Sequence, residues 1–445
     1  MDVILNYSKE IQGALLGFEI DLQAPGTPYK EFVLGFSWVV YVFEQYLSYR
    51  QYKKLQDPNP PKSLADNKEI CEKYPKAQSY SIDKAKFRFF ADFLGQVETT
   101  AVIMLDGLPW MWNLAGKALE FAEFDPNQYE ILQSCLFAII WSLLSFIITL
   151  PTSLWYNFVI EERHGFNKMT LRLYVKDTLI TMALFCVIGL PVLSLALYII
   201  KWGGENFFFY VWLFVFVFNF IMLTIYPTLI QPLFNKLTPL PEGELRTKIE
   251  ELASRINFPL KKLYVIDGST RSKHSNAYFY GFFKNKRIVL FDTLIESAEI
   301  EEIVAIVGHE LGHWYLNHTI KVLTIAQVQI FTLFFLFSQF INNTALYHSF
   351  GFDTRPILIG FILFNYIYSP IDHVISFLMN ILSRKHEFEA DAYGKKLGYA
   401  EQLKSGLIKI HTKNLGNMSN DPWYSAYHFS HPPLPERLSA LIKVD

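Results

Sequence analysis

A short pattern in the second half of the chain could hold a metal ion. The sequence HELGH at residues 309–313 places His309 and His313 one helical turn apart, so both imidazoles project from one helix face. Two such imidazoles can share a Zn²⁺ ion, and the carboxylate of Glu310 lies beside them, within reach of a water on the metal. This arrangement is typical of a zinc-dependent hydrolase with Glu310 as the catalytic base.

A catalytic zinc site usually has a third protein ligand. The best candidates lie in SRKHEFEADAY at residues 383–393, where Glu387 and Asp391 are one turn apart on a predicted helix. One can bind the metal while the other accepts an imidazole N–H. Glu389 is rotated by about 200° from Glu387 around the helix and is expected to face elsewhere. His386 is a further, weaker candidate.

The HELGH motif must stand on a helix, and the surrounding sequence predicts one. Across Ser297–His318, apolar residues recur at three- and four-residue steps. The preceding segment predicts an amphipathic helix and three short strands, so a small α+β unit is expected to carry the motif. The bounds are Glu242–Ile256 for the helix, and Leu263–Ile266, Asn276–Phe283 and Arg287–Phe291 for the strands, with Lys284–Lys286 as the hairpin loop.

The composition indicates a membrane protein. Of 445 residues, 51% are hydrophobic and 18% are charged, against roughly 25% charged in typical globular chains. The 40 Lys and Arg are balanced by 42 Asp and Glu, so no overall positive field exists to attract nucleic acid. Three widely spaced cysteines exclude a disulfide scaffold.

Seven apolar runs approach the length of about 20 residues that crosses a bilayer. The first two are weaker, because they contain Glu44 and Asp106. The residues before them, Met1–Lys30, lack the basic and apolar regions of a cleavable signal peptide. The sequence therefore predicts a mainly α-helical, seven-span bundle. The runs are Phe32–Tyr49, Thr99–Leu114, Leu132–Val159, Leu179–Ile200, Phe207–Ile230, Val322–Ile341 and Pro356–Leu382.

The placement of basic residues predicts the orientation of these spans. With seven spans, 35 of the 40 Lys and Arg fall on one side of the membrane and 5 on the other. The positive-inside rule then places the N-terminus in the lumen and the C-terminus in the cytosol. Two spans separate HELGH from residues 383–393, so both segments are expected on the cytosolic side.

These motifs together resemble the type I integral-membrane zinc CAAX prenyl proteases. The resemblance runs from about Phe32 to Leu441. One departure is Glu389, where the family pattern has Gln. The similar segments are HELGH, residues 383–393, IEERHGFNK at 160–168, HSNAYFYG at 274–281 and SHPPLPER at 430–437.

The resemblance implies roles for individual residues. Zinc would be bound by His309, His313 and Glu387, with Glu310 as the base and Asp391 supporting a ligand. An edge strand would pair with the substrate backbone, and two residues near the end of the chain would contact the substrate or the developing oxyanion. The strand residues are Asn276 and Tyr278, and the later pair is His431 and Arg437.

The resemblance also implies an activity and a location. The chain would be an endopeptidase that removes the aaX tripeptide from prenylated CAAX proteins, with a further N-terminal cleavage of some substrates. It would lie in the endoplasmic reticulum membrane, or in the inner nuclear membrane, with its site open to the cytosol and its spans enclosing a chamber. The expected division is residues 1–230 for spans 1–5, 231–321 for a small zincin-like α+β domain, 322–382 for spans 6 and 7, and 383–445 for the segment that completes the zinc site.

Three other interpretations fit parts of the sequence. A seven-span receptor or transporter explains the hydropathy but not HELGH with Glu387 and Asp391. An idle zinc-binding scaffold does not need the intact Glu310. An intramembrane protease would carry HELGH inside a span, whereas polar residues such as Glu301 and Asn317 bracket the motif.

Overall fold

The structure is a computed structural model that describes residues 22, 24–281 and 286–442, and helices dominate it. Most of Met1–Lys30 and most of the predicted loop Lys284–Lys286 lie outside these residues. The α-helices are Tyr29–Leu55, Lys68–Met104, Gly107–Phe121, Glu130–Trp155, Leu171–Leu184, Leu190–Trp202, Phe207–Ile225, Gln231–Phe234, Glu244–Arg255, Asp292–Ser297, Ile300–Tyr315, His318–Phe340, Thr344–Ser349, Ile357–Lys396, Ala400–Lys413, Pro422–His428 and Leu434–Ile442. Three π-helical turns, Tyr156–Glu161, Phe185–Gly189 and Tyr226–Ile230, continue the helices before them, and short 3₁₀ turns cover Gly204–Asn206 and Gly268–Thr270.

Among the described residues, five continuous helical stretches are long and apolar enough to cross a membrane. They cover the third to seventh predicted runs, except for one terminal residue of each of the last two. Their side chains are mostly not buried within the protein; in the most apolar window of Gly204–Phe234 only 6% of the residues are buried. Such outward-facing apolar surface suits contact with lipid. The stretches are Glu130–Glu161, Leu171–Trp202, Gly204–Phe234, His318–Phe340 and Ile357–Lys396.

The two weaker runs behave differently from each other. Phe32–Tyr49 lies within the single helix Tyr29–Leu55. The prediction of one span over Thr99–Leu114 is wrong, because a helix ends at Met104 and the next begins at Gly107. Asp106 takes a left-handed conformation between them, with φ of 52°. Asp tolerates this conformation better than most residues, so the chain can turn here.

Polar contacts identify the two ends of the helix bundle. At one end, Lys30 pairs with Asp106 at 2.7 Å, and its backbone N–H donates to the hydroxyl of Ser349. At the other end of the same helix, Arg50 pairs with Asp421 at 3.0 Å. The connection before the last long helix and the tail segment therefore lie at opposite ends, in agreement with the partition of basic residues.

A small four-stranded sheet lies beside the HELGH helix. Its strands are β1 (Leu237–Pro239), β2 (Leu260–Ile266), β3 (Ala277–Tyr280) and β4 (Lys286–Phe291), in the order β1-β2-β4-β3. The pair β2–β4 is parallel, and the other two pairs are antiparallel. The predicted hairpin strands are thus confirmed as a pair, and β3 lies at the edge of the sheet. The predicted strand Leu263–Ile266 begins earlier, at Leu260.

The HELGH helix, Ile300–Tyr315, is shorter than predicted at both ends. It begins with a capping box, in which the side chains of Glu299 and Glu302 each accept a hydrogen bond from the backbone N–H of the other residue. It ends before Asn317, which is left-handed with φ of 57° and redirects the chain into the next helix. Its apolar side packs with the sheet and the Glu244–Arg255 helix in one buried core.

A glycine inside the motif permits a close helix crossing. A Cβ added to Gly312 would lie 3.2 Å from the backbone oxygen of Ala390, in the long helix Ile357–Lys396. The HELGH helix and this long helix therefore touch through their backbones. This crossing brings residues 383–393 beside the two histidines of the motif.

Candidate metal centre

Three potential ligand atoms converge where the two helices cross. His309 Nε2 lies 3.3 Å from His313 Nε2 and 3.5 Å from Glu387 Oε2, and His313 Nε2 lies 3.3 Å from Glu387 Oε1. A tetrahedral zinc ion with bonds of about 2.0–2.1 Å keeps its ligand atoms about 3.3–3.4 Å apart. The spacing of these three side chains therefore fits one zinc ion.

One oxygen of the Glu387 carboxylate makes no hydrogen bond in the described part of the chain. This residue is 4% exposed, and its Oε2 atom is buried without a hydrogen bond among the described residues. A buried carboxylate oxygen without a hydrogen bond is costly, and a metal ion would satisfy it. The donor set of two imidazoles and one carboxylate is typical of hydrolytic zinc sites.

Asp391 orients the first histidine of the motif. It is 1% exposed, and its Oδ1 lies 2.9 Å from His309 Nδ1. Arg437, from the helix Leu434–Ile442, donates to both Asp391 oxygens at 2.7 and 2.8 Å. With the His309 proton held on Nδ1, the lone pair of Nε2 points to the position between the three ligand atoms.

His313 is oriented by a pair of residues that sequence reasoning missed. His313 Nδ1 lies 3.0 Å from Nδ1 of His318, and His318 Nε2 lies 2.9 Å from Glu389 Oε2. When His313 Nε2 faces a metal, its Nδ1–H donates to His318, which in turn donates to Glu389. Glu389 points away from Glu387, as expected, but it supports a ligand through His318. His386 stacks on the His318 ring at 3.9 Å between centroids.

A proton and a metal ion would compete for the imidazole of His309. Burial alone would lower the pKa of His309, but Asp391 and Glu387 raise that pKa to about 9. A metal at Nε2 must displace this proton, so metal binding releases protons. Burial raises the pKa of Glu310 above its ordinary value, against the opposing effect of the two motif histidines. A raised pKa favours a carboxylate that accepts and returns a proton.

Of the residues expected to contact substrate, His431 and Arg437 lie beside Glu387, and Asn276 and Tyr278 lie at the sheet edge. His431 Nε2 lies 3.3 Å from Glu387 Oε1, and its side chain is 67% exposed. Tyr278 lies in edge strand β3, with its hydroxyl 2.5 Å from the side-chain nitrogen of Gln231. Asn276 directly precedes the strand, and its carbonyl accepts the backbone N–H of Phe291 in β4.

The register of β3 shows which backbone groups are directed to the free edge. The carbonyl of Asn276 accepts a hydrogen bond from β4, and bonding alternates along an antiparallel pair. The N–H and C=O groups of Ala277 and Phe279 therefore point away from β4. Their side chains face the buried core, so these positions give the edge backbone contacts rather than side-chain contacts.

Known proteins with the same architecture come from distant organisms. Residues 49–236 match the family described as CAAX prenyl protease N-terminal, five membrane helices, and residues 239–445 match peptidase family M48. The chain is 48% identical to the CAAX prenyl protease 1 homolog of Arabidopsis thaliana over 415 residues, covering 93% of this chain and 97% of the relative. It is 45% identical to the Homo sapiens homolog, covering 92% and 94%. The crystal structure of S. mikatae Ste24p matches with a TM-score of 0.88 and 41% identity, covering 94% of this chain and 100% of that chain.

Proposed function

This chain belongs to peptidase family M48, among its membrane CAAX prenyl proteases, and we propose that it removes the aaX tripeptide from prenylated CAAX proteins with zinc held by His309, His313 and Glu387. The observation that carries the assignment of the ligands is their convergence at 3.3–3.5 Å, with the buried Oε2 atom of Glu387 making no hydrogen bond in the described part of the chain. A receptor, a transporter or an idle scaffold does not require this arrangement beside an intact Glu310.

The residues around the zinc position have different roles in the proposed peptide hydrolysis. When bound, zinc supplies Lewis acidity toward the scissile carbonyl and an activated water. Glu310 takes the proton of the attacking water and returns it to the departing amine. His431 and Arg437, both within 3.5 Å of Glu387, are placed to donate to the developing oxyanion.

Substrate backbone would add to the sheet at strand β3. The outward-facing groups of Ala277 and Phe279 offer the hydrogen bonds, in a β-augmentation mode. Asn276 and Tyr278 project to the opposite face from the core and border the added strand. The zincin-like character of this domain consists of this edge strand beside the HELGH helix.

We propose seven membrane crossings, of which five are made by the long apolar helices. The helix Tyr29–Leu55 makes the first, and the C-terminal part of Lys68–Met104 makes the second, in place of Thr99–Leu114. This part exposes Phe90, Phe93 and Val97 on its surface, as a lipid-facing helix would. The proposed division is residues 1–230, 231–321, 322–382 and 383–445.

The proposed location is the endoplasmic reticulum membrane or the inner nuclear membrane, with the site open to the cytosol. We propose that the spans enclose a chamber, and a cavity of about 510 Å³ lies between the first two long helices and the tail segment. A second N-terminal cleavage of some substrates belongs to the same proposal.

The orientation can be tested by cysteine labelling. Asp353→Cys and Glu401→Cys, each in a background in which the three native cysteines are replaced, place thiols at side chains that are 100% and 81% exposed. An impermeant thiol reagent added to sealed microsomes should label the position-401 variant only. Labelling of both variants, or only of the position-353 variant, would refute the seven-span arrangement.

The activity is tested with a farnesylated CAAX peptide and purified protein. We expect release of the intact tripeptide together with about one zinc per chain, and loss of release when a chelator removes the metal. Zinc addition should restore the cleavage. Tripeptide release that persists in fully metal-free protein would overturn the metal assignment.

A further inference from the structure

Two cations face the cavity of about 510 Å³ that lies beyond the metal site. Lys84 and Arg88 are one turn apart on the helix Lys68–Met104, and both line this cavity. The opposite wall includes Asn417, Tyr424 and Phe429 from the tail segment. The mechanism above uses neither cation.

The positive charge of Lys84 has no acidic hydrogen-bond partner within the described part of the chain. Its ammonium lies 3.8 Å from the centroid of the Tyr80 ring. The acid whose charge acts on it is Glu161. Both Glu161 oxygens are already engaged, one by the Tyr80 hydroxyl at 2.5 Å and the other by His274 at 3.4 Å. The neighbouring Asp83 pairs with Arg163 instead.

Arg88 adds a second cation with free donor capacity. Its Nη1 donates to the hydroxyl of Tyr424, and the residue is exposed within the cavity. A guanidinium has five N–H donors in a planar fork that matches a carboxylate. Asp92 also lines the cavity, and its negative charge partly offsets that of the two cations. Its side chain accepts a hydrogen bond from Gln45.

This cavity borders a second one that reaches two residues beside the metal position. The second cavity, of about 480 Å³, is lined by His431 and Arg437 and shares Asn417 and Phe429 with the first. His411 lies in its wall, and burial together with the charges of Lys84 and Arg437 lowers the pKa of this histidine to about 4. His411 therefore lies between the metal site and the two cations.

The second cavity also adjoins the start of edge strand β3, where a bound peptide would leave the sheet. The Asn414 side chain binds the backbone N–H and C=O of Ser275 at 2.9 and 3.2 Å, just before β3, and it lines the second cavity. Three extended residues reach about 10 Å. A tripeptide on the far side of the scissile bond can thus extend from the metal site toward the cations.

We propose that Lys84 and Arg88 form the subsite for the C-terminal carboxylate of the aaX tripeptide. This proposal rests on the proposed function, because the terminal carboxylate is the one charge that every aaX sequence carries. The two cations would therefore favour cleavage at the peptide bond that lies three residues before the end of the substrate chain.

The test compares two farnesylated CAAX peptides that differ only at the C-terminus, a free acid and an amide. Wild-type protein should cleave the acid with a kcat/KM about 10- to 100-fold above that of the amide, as expected for a charge-assisted hydrogen bond. Lys84→Met should lower this acid-to-amide ratio to within about threefold of unity, and Lys84→Arg should retain most of it.

The matched control is Lys86→Met, which removes an exposed lysine from another face of the same helix and should leave the ratio unchanged. Equal cleavage of acid and amide by the wild type, or an undiminished ratio in a zinc-loaded Lys84→Met protein, would overturn the carboxylate subsite. Failure of the wild type to cleave either peptide would instead count against the proposed function. Zinc content verifies that each variant has folded.

Discussion

Glu310→Gln should lose peptide cleavage by about 10²- to 10⁴-fold while it retains its zinc. Gln has the shape of Glu but cannot take a proton from water. The substitution leaves His309, His313 and Glu387 and their spacing of 3.3–3.5 Å in place. The measurement is kcat for tripeptide release from a farnesylated CAAX peptide, together with metal content of the same sample.

The variant also distinguishes loss of the catalytic base from loss of metal binding. Burial of Glu310 makes a neutral amide well tolerated at this position, so the protein should remain folded. Substrate binding should be retained, and the variant should compete with wild type for the peptide. Near-normal turnover in a zinc-loaded Gln variant would rule out Glu310 as the base.

Glu387→Ala should weaken zinc binding by more than about 100-fold, whereas Glu389→Ala should weaken it by about 10-fold. Removal of Glu387 takes away a ligand and leaves two imidazoles. Removal of Glu389 leaves all three proposed ligands in place. His318 then loses its carboxylate partner, and His318 is the residue that orients Nδ1 of His313. Supporting residues of this kind typically contribute 10- to 100-fold in metal affinity.

The two variants are matched controls, because they remove the same side chain two positions apart on one helix. Competition with a chelator of known affinity gives the zinc dissociation constant of each. Equal losses in the two variants, or a larger loss at Glu389, would refute the choice of Glu387 as the third ligand.

Local helical geometry made much of the site predictable. His309 and His313 are one turn apart on any helix, and so are Glu387 and Asp391, so their shared faces follow from spacing alone. The crossing that joins the two faces depends on the absence of a Cβ at Gly312. The sequence shows this glycine but does not reveal that it contacts Ala390. The length of the apolar runs likewise predicted five of the long helices.

Contacts that depend on how helices cross could not be predicted in this way. The link from His313 through His318 to Glu389 spans three helices, and Glu389 is rotated away from the metal position on its own helix. The apolar run Thr99–Leu114 predicted one span because hydropathy does not register the single left-handed residue, Asp106, that divides it. The convergence of Lys84 and the tail segment on one cavity is equally a product of tertiary packing.

The HELGH helix and the proposed ligand Glu387 are separated along the chain by two membrane-capable helices, His318–Phe340 and the first part of Ile357–Lys396. The metal site can therefore close only after this helical pair has been threaded into the bilayer as a hairpin. A molecule that fails at this step would carry two histidines without their carboxylate and would be inert. With the proposed ligand set, proteolytic activity therefore depends on correct insertion of both helices.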